Sequence, residues 1–206
     1  MHGRHKTVRN CLNRMPFIDV VMIYSDDADG EFLNEFPNVI ATAKVQNRPL
    51  SFKWNQAVKA LHQIDFDAVI LLGSDDYIDE KLLEFVQQNM DCDMIGFTDL
   101  YFQANRQLYY WQGYEGARRG EPSGAGRVYS KKFLESIGYN LYPFSANAGL
   151  DGMSWKVIKQ RRASVKLFSL RENDLMICDV KDGEGMNSFE KLNRLIKLNP
   201  VTNATT

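Results

Sequence analysis

The stretch from Ala68 to Glu80 reads AVILLGSDDYIDE. Ala68 to Leu72 is a short, continuous apolar run, the pattern of a strand buried on both faces of a sheet. Gly73 ends it, and Ser74, Asp75 and Asp76 follow at once. Asp79, Leu82, Leu83 and Val86 then recur at helical spacing, with Asp79 and Glu80 where acidic side chains favour a helix N-terminus. Two adjacent carboxylates therefore stand where a buried strand stops and a helix has not begun. In open α/β sheets that carboxyl-end crevice is where ligands bind. Neighbouring carboxylates repel unless a cation lies between them, and hard oxygen ligands favour Mg²⁺ or Mn²⁺ over zinc. Ser, Asp and Gly are also ordinary turn residues, so the motif has to be weighed with what surrounds it.

Upstream, Thr7 is a candidate cap for a helix with Val8, Cys11, Leu12 and Met15 on one face, stopped by Pro16. Phe17 to Tyr24 reads as a strand running into a second acidic cluster, Ser25 to Gly30, with a short helix over Glu31 to Phe36. Val39 to Val45 reads as a strand, and Ser51 as the cap of a helix with Trp54, Ala57, Val58 and Leu61 inward. Alternating helix and strand predicts a parallel sheet with right-handed crossovers. The chain reaches its first helix directly from Met1-His2-Gly3-Arg4, so the strand that usually opens such a unit is very short or already begun.

Downstream, Met94 to Phe102 and Gln107 to Trp111 read as a hairpin turning at Ala104-Asn105-Arg106. Gln112 to Gly126 holds Gly113, Gly116, Gly120, Gly124 and Gly126 without apolar periodicity, and a loop that long is often a functional lid. A short strand at Arg127 to Tyr129, a helix capped by Ser130 and ended by Gly138, a helix over Leu150 to Gln160, and strands at Lys166 to Leu170 and Leu175 to Val180 follow. Then come a glycine-rich loop, Lys181 to Asn187, and a helix over Ser188 to Leu198. With 206 residues the expectation is one domain over 1–200, with 201–206 as tail or linker to further domains of a longer chain.

A net charge of −1 argues against nucleic acid or an anionic membrane as partner. The three cysteines form no CxxC pair, so free thiols in a reducing, cytoplasmic compartment are expected. The N-terminus has no signal-peptide apolar region, and no apolar run has membrane-span length. In that compartment the sequon Asn203-Ala204-Thr205 carries no meaning.

Four stretches together resemble the GT-A glycosyltransferases of the inverting, family 2-like kind: VVMIYSDDADG, NRPLSFKWNQAVKAL, VILLGSDDYIDEKLLE, and GAGRVYSKKFLESIGYN followed by NAGLDGMSWKVIK. They cover roughly three quarters of the chain, and their order is more specific than any one of them. Small transferases of this kind also occur in large DNA viruses of algae, which makes a viral source an expectation. The resemblance implies a Rossmann-like mixed, mainly parallel sheet flanked by helices, with a small antiparallel acceptor-side hairpin. It implies a single catalytic domain over 1–200 with a nucleotide-binding half over 1–90 and an acceptor half over 91–200, a nucleotide-sugar donor, a UDP-sugar, and a glycan acceptor. By the same resemblance Asp26 contacts uracil or ribose, Lys53 and Asn55 face the nucleotide, Asp75 lies near the ribose, Asp76 with Asp75 holds Mn²⁺ or Mg²⁺, and Asp151 is the base. Arg127, with Arg118 and Arg119, suits the diphosphate.

Each assignment has an ordinary alternative: a helix cap for Asp151, a solvated turn for Asp26 and Asp27, helix surface for Lys53 and Asn55, mobile surface for the arginines. Tyr109, Tyr110, Trp111 and Tyr114 suit sugar stacking or, more commonly, a hairpin core. Two departures stand out. The acidic residue the resemblance expects two positions before Asp75 is Gly73, and the C-terminal metal-ligating His is not evident; His62 sits mid-helix. A sugar nucleotidyltransferase and a non-catalytic carbohydrate- or nucleotide-binding module derived from a transferase are the competing functions. The first usually carries a Gly-rich basic N-terminal loop, which HGRHKTVRN matches poorly.

Overall fold

The computed structural model describes residues 1, 3–181 and 189–201. The first ninety residues contain α1 (His5–Asn13), β1 (Val20–Tyr24), α2 (Asp27–Leu33), β2 (Val39–Lys44), α3 (Leu50–Ala60), β3 (Ala68–Leu71), β4 (Asp76–Ile78) and α4 (Glu80–Asn89). The remainder contains β5 (Met94–Phe97), β6 (Leu100–Ala104), β7 (Gln107–Trp111), β8 (Arg127–Ser130), α5 (Lys131–Ser136) and α6 (Leu150–Gln160). It closes with β9 (Val165–Phe168), β10 (Ile177–Val180), α7 (Phe189–Leu195) and β11 (Asn199–Pro200). The architecture is mixed α/β, as expected, with helices flanking the strands.

The strands form three groups: β1-β2, β3-β8-β5-β9 and β11-β7-β6-β10-β4. Pairing is more mixed than the helix–strand alternation suggested. β1–β2, β5–β9 and β6–β10 are parallel, and the other pairs are antiparallel. β3 is not the centre of a parallel sheet; it is an edge strand antiparallel to β8, with Leu71 opposite Arg127. Its continuous apolar run is still explained by two covered faces. Ala68, Ile70 and Leu72 pack with Cys11, Tyr77 and Ile78, while Val69 and Leu71 pack with Val58, Phe133 and Ile158.

Helix α1 joins two cores. Val8 and Leu12 meet Phe32, Leu33 and Phe36, and Cys11 with Met15 meets the cluster around Ile78 and Leu82. It starts ahead of the expected Thr7 cap, because the backbone turns at Gly3 and Arg4, both at positive φ, and Thr7 is buried within the helix. Helix α2 also starts earlier than its apolar pattern suggested. Asp26 accepts from Asp29 N at 3.0 Å, and Asp27 and Asp29 fill the first turn, so the acidic cluster is a capped helix start rather than a loop. Ser51 does not cap α3; Pro49 holds that position, and Ser51 exchanges hydrogen bonds with Ala146 instead.

The single strand expected over Met94 to Phe102 breaks at Thr98-Asp99 into β5 and β6, which belong to different sheets. Buried Asp99 enforces the break by accepting from Leu170 N at 2.6 Å, Ser169 Oγ at 2.6 Å and Tyr110 Oη at 2.8 Å. The hairpin turn at Asn105 and Arg106 has both residues at positive φ, as a tight two-residue turn requires. The three cysteines carry no disulfide. No helix among the described residues is long and apolar enough to cross a membrane. The glycine-rich loop after Lys181, Ser188 and the sequon lie outside the described residues.

Candidate active site

The chain after β3 supplies the first two carboxylates of the site. Asp76 is not in the turn before α4; it opens β4, whose antiparallel pairing with β10 sets Asp76 opposite Asp179. Asp75, Asp76 and Asp179 each place a carboxylate oxygen within 4.8 Å of the others. Asp179 was not singled out from the sequence. Its signal, one acid in the apolar run ICDV, gains meaning only when β10 is laid beside β4.

The same geometry explains Gly73. A Cβ there would lie 2.9 Å from Asp75 Oδ1 and 3.0 Å from Asp76 Oδ2, so a side chain would crowd both carboxylates and push them aside. Gly73 N also donates to Asp76 Oδ2 at 2.6 Å. The acid missing at position 73 is thus replaced, in number, by one from another strand.

Two cations stand on the cluster. Arg4 bridges Asp75 Oδ2 and Ser74 Oγ, both at 2.8 Å. Lys181 Nζ lies 2.6 Å from Asp179 Oδ2 and 3.7 Å from Asp75 Oδ2. Burial raises the Asp76 carboxyl well above its usual range, with the charges of Asp179 and Asp75 adding to the effect. Burial likewise raises Asp179, against the pull of Lys181. Burial opposes the charge on Lys181, but Asp179 and Asp75 outweigh it and hold Lys181 above its ordinary value. Asp179 Oδ1 is buried with no hydrogen-bond partner among the described residues.

Asp151 lies in the first turn of α6. It is not that helix's cap, a position taken by Gly149 at φ 71°. Its Oδ2 accepts from Tyr114 Oη at 2.9 Å. Its Oδ1 lies over Gly124, where a Cβ would come within 2.1 Å. The Arg118 guanidinium stacks 3.5 Å from the centre of the Tyr114 ring and pairs with Glu121. Burial and Asp151 together push the Tyr114 hydroxyl up to about 12, so it stays a proton donor to the carboxylate at neutral pH.

Arg127 is brought to this region, but as a brace. At 1% exposure it donates from Nε to Ser123 O at 2.8 Å, from Nη2 to Pro122 O at 2.9 Å, and from Nη1 to Asp151 O at 2.9 Å and Ser154 Oγ at 2.6 Å. Its fork is directed into the protein and fixes the backbone under Asp151. Since Leu71 pairs with Arg127 and accepts from Gly126 N, the same residue ties Asp151 to the end of β3. Arg127→Met removes four hydrogen bonds, three of them buried, and is expected to cost at least about 3 kcal/mol of stability. Thermal unfolding checks this; an unchanged melting temperature would deny the bracing role.

Lys53 and Asn55 are also turned inward. Lys53 is buried, and its ammonium donates to Met1 O at 2.8 Å, Ser25 Oγ at 2.6 Å and Asn47 Oδ1 at 3.0 Å, using all three hydrogens. Burial lowers its pKa. Asn55 donates to Asn140 Oδ1 and Tyr142 O and accepts from Tyr142 N, which clamps the segment leading to α6. Asp26 sits at the carboxyl end of β1 as the α2 cap.

Part of the loop over Gln112 to Gly126 is tied down: Ser123 N donates to Phe97 O at 2.7 Å and Gly126 N to Leu71 O at 2.8 Å. The exposed arch around the 3₁₀ turn Gly116–Arg118 borders a groove of about 390 Å³ lined by Thr98, Gln112, Tyr114 and Arg119 among others. Hydrogen exchange with and without UDP plus Mn²⁺ is expected to show added protection confined to 115–121. Equal protection in both states would count against a lid. The aromatic residues of the hairpin mainly pack: Tyr101 on Tyr110, Tyr109 on Phe189, and Trp111 edge-on to Tyr114.

The fold is similar to that of solved structures that include a nucleotide-diphospho-sugar transferase and a CTP-bound synthetase. No protein-family model matches the chain, and no curated protein sequence does. Solved structures do match. S. aureus TarS 1–349 superposes with a TM-score of 0.60 at 15% identity, over 82% of this chain and 56% of that one. The chain therefore spans little more than half of that structure. CMP:2-keto-3-deoxy-manno-octonic acid synthetase complexed with CTP matches with a TM-score of 0.53 at 12% identity, over 92% of this chain and 85% of that one. A Desulfovibrio desulfuricans G20 protein described as a nucleotide-diphospho-sugar transferase gives 0.53 at 14% identity, over 93% and 71%. At these identities the likeness is one of fold.

Proposed function

We propose that this chain is a metal-dependent, inverting glycosyltransferase that moves a sugar from a nucleotide-sugar, a UDP-sugar, to a hydroxyl of a glycan. The observation that carries the reading is the Asp75–Asp76–Asp179 cluster at the end of β3, tied through Arg127 to a separate carboxylate, Asp151, at the start of α6. The donor set fits a hard divalent ion. All three ligands are carboxylates, and Asp179 Oδ1 is buried without a partner among the described residues, a group that costs free energy unless something binds it. Mn²⁺ or Mg²⁺ there would be held by Asp76, Asp75 and Asp179. When bound it supplies charge neutralisation for the departing diphosphate.

The protein's own residues do the rest. Asp151 takes the proton from the acceptor hydroxyl as that oxygen attacks the anomeric carbon. Tyr114 orients the Asp151 carboxylate, and Arg127 and Ser154 hold the helix start beneath it. Asp26, at the end of β1, contacts uracil or ribose. Lys53 and Asn55 shape the nucleotide side by fixing the ends of β1 and the 140s segment rather than by touching the ligand. The groove beside Tyr114 and Arg119 receives the acceptor glycan.

Nucleotidyl transfer is the second reading, and Arg4 is what favours it: a guanidinium from the N-terminal segment stands on Ser74 and Asp75, where a triphosphate would need a cation. Incubation with a panel of nucleotide sugars and Mn²⁺ separates the two. Release of UDP supports glycosyl transfer. Release of pyrophosphate from UTP and a sugar phosphate supports the second reading, and binding without turnover would overturn both.

A further inference from the structure

We propose that Lys181 is a built-in counter-ion: its ammonium occupies the cation position of the Asp75–Asp76–Asp179 cluster and is displaced when a divalent ion binds. The proposal rests on the metal reading of that cluster. Lys181 follows Asp179 by two residues, directly after the last residue of β10, and its ammonium pairs with the Asp179 carboxylate. The Lys181 side chain is only 8% exposed, and its Nζ reaches two of the three carboxylates, Asp179 at 2.6 Å and Asp75 at 3.7 Å. Its backbone cannot drift, because Val180 N donates to Asp75 O at 2.7 Å and Lys181 N to Gln103 O at 2.8 Å. What can move is the side chain, a point charge on a flexible four-carbon stem.

Three carboxylates this close repel strongly in a buried site unless cations separate them. Arg4 makes its direct contacts to Asp75 and Ser74, which commits its planar fork there. Lys181 spans Asp179 and Asp75. A divalent ion bound to Asp179 and Asp75 would share that space with the ammonium, and like charges at such separations cost too much to coexist. Metal entry and withdrawal of Lys181 are therefore one event. Lys181 sets the metal affinity of the site while keeping the metal-free site folded.

Calorimetric titration of Mn²⁺ alone into the full chain tests this, with Lys181→Met and Lys181→Gln beside the unaltered protein. The expected result is Mn²⁺ binding tighter by roughly tenfold or more in both variants, since the competing charge is gone. Their metal-free forms should melt lower than the unaltered protein, and Mn²⁺ should raise their melting temperatures more than its own. If one variant fails to fold without metal, the other carries the affinity comparison, and refolding with Mn²⁺ present supports the same conclusion. Mn²⁺ binding to the unaltered protein with equal or weaker affinity in the variants would overturn the role of Lys181 and leave the metal site standing. Absence of Mn²⁺ binding in all three proteins would overturn the metal reading and the proposal together.

Discussion

Asp76→Asn is expected to abolish sugar transfer while the protein stays folded. Asp76 is the most enclosed acid of the cluster, at 5% exposure, and lies against both Asp75 and Asp179. On the proposed reaction the diphosphate would leave with a growing negative charge, and a divalent ion held here would contribute several kcal/mol of stabilisation. Losing it should lower turnover by at least about 10³-fold, since each 1.36 kcal/mol is worth a factor of ten. Chelation of the unaltered protein should do the same, with recovery on adding Mn²⁺ or Mg²⁺. The fold should survive because the Asn carbonyl oxygen can still accept from Gly73 N, and because a buried charge that repels two neighbours is removed. Thermal melting is therefore expected to be unchanged or raised. Full activity in chelator would contradict the prediction.

The second large effect is at Asp151. Asp151→Asn should leave donor affinity nearly intact and lower kcat by roughly 10²–10⁴, the usual loss for a positioned base. Asn is nearly isosteric and still accepts from Tyr114 Oη, so the seat over Gly124 is kept. Tyr114→Phe should give a smaller loss, because the carboxylate remains but is no longer aimed. Single-turnover kinetics with the product configuration read by NMR would check both. The product should have the anomeric configuration opposite to the donor's. A weakened donor affinity with kcat preserved would make Asp151 a binding residue, and retention of configuration would remove the single-base mechanism.

The parts of the fold legible in the sequence are those that local pattern decides. The apolar run Ala68 to Leu72 announced a strand with two covered faces, and both faces are covered. Asp79 announced the start of α4 and caps it. What was not legible depends on which strands meet. Nothing local says that β3 pairs antiparallel with β8, or that β10 reaches across to β4 and delivers Asp179 to the cluster. Lys181 was invisible for the same reason. Gly73 read as a defect in a metal motif; in three dimensions it is the spacing two crowded carboxylates require. Residue type alone also misled on direction. Arg127, Lys53 and Asn55 have the chemistry of phosphate and nucleotide ligands, yet each spends its donors on buried backbone and side-chain acceptors. Only pairing and burial separate a residue that binds a ligand from one that holds the binding residues in place.

The most direct measurement is the calorimetric affinity for UDP in Mn²⁺ and in chelator, on the unaltered chain and on Asp179→Asn. The account predicts UDP binding in Mn²⁺ that weakens at least roughly tenfold in chelator, and a variant whose UDP affinity no longer responds to Mn²⁺. UDP affinity that is the same with and without the metal, or a Mn²⁺ response that survives in Asp179→Asn, would contradict a three-carboxylate cation site for the nucleotide diphosphate.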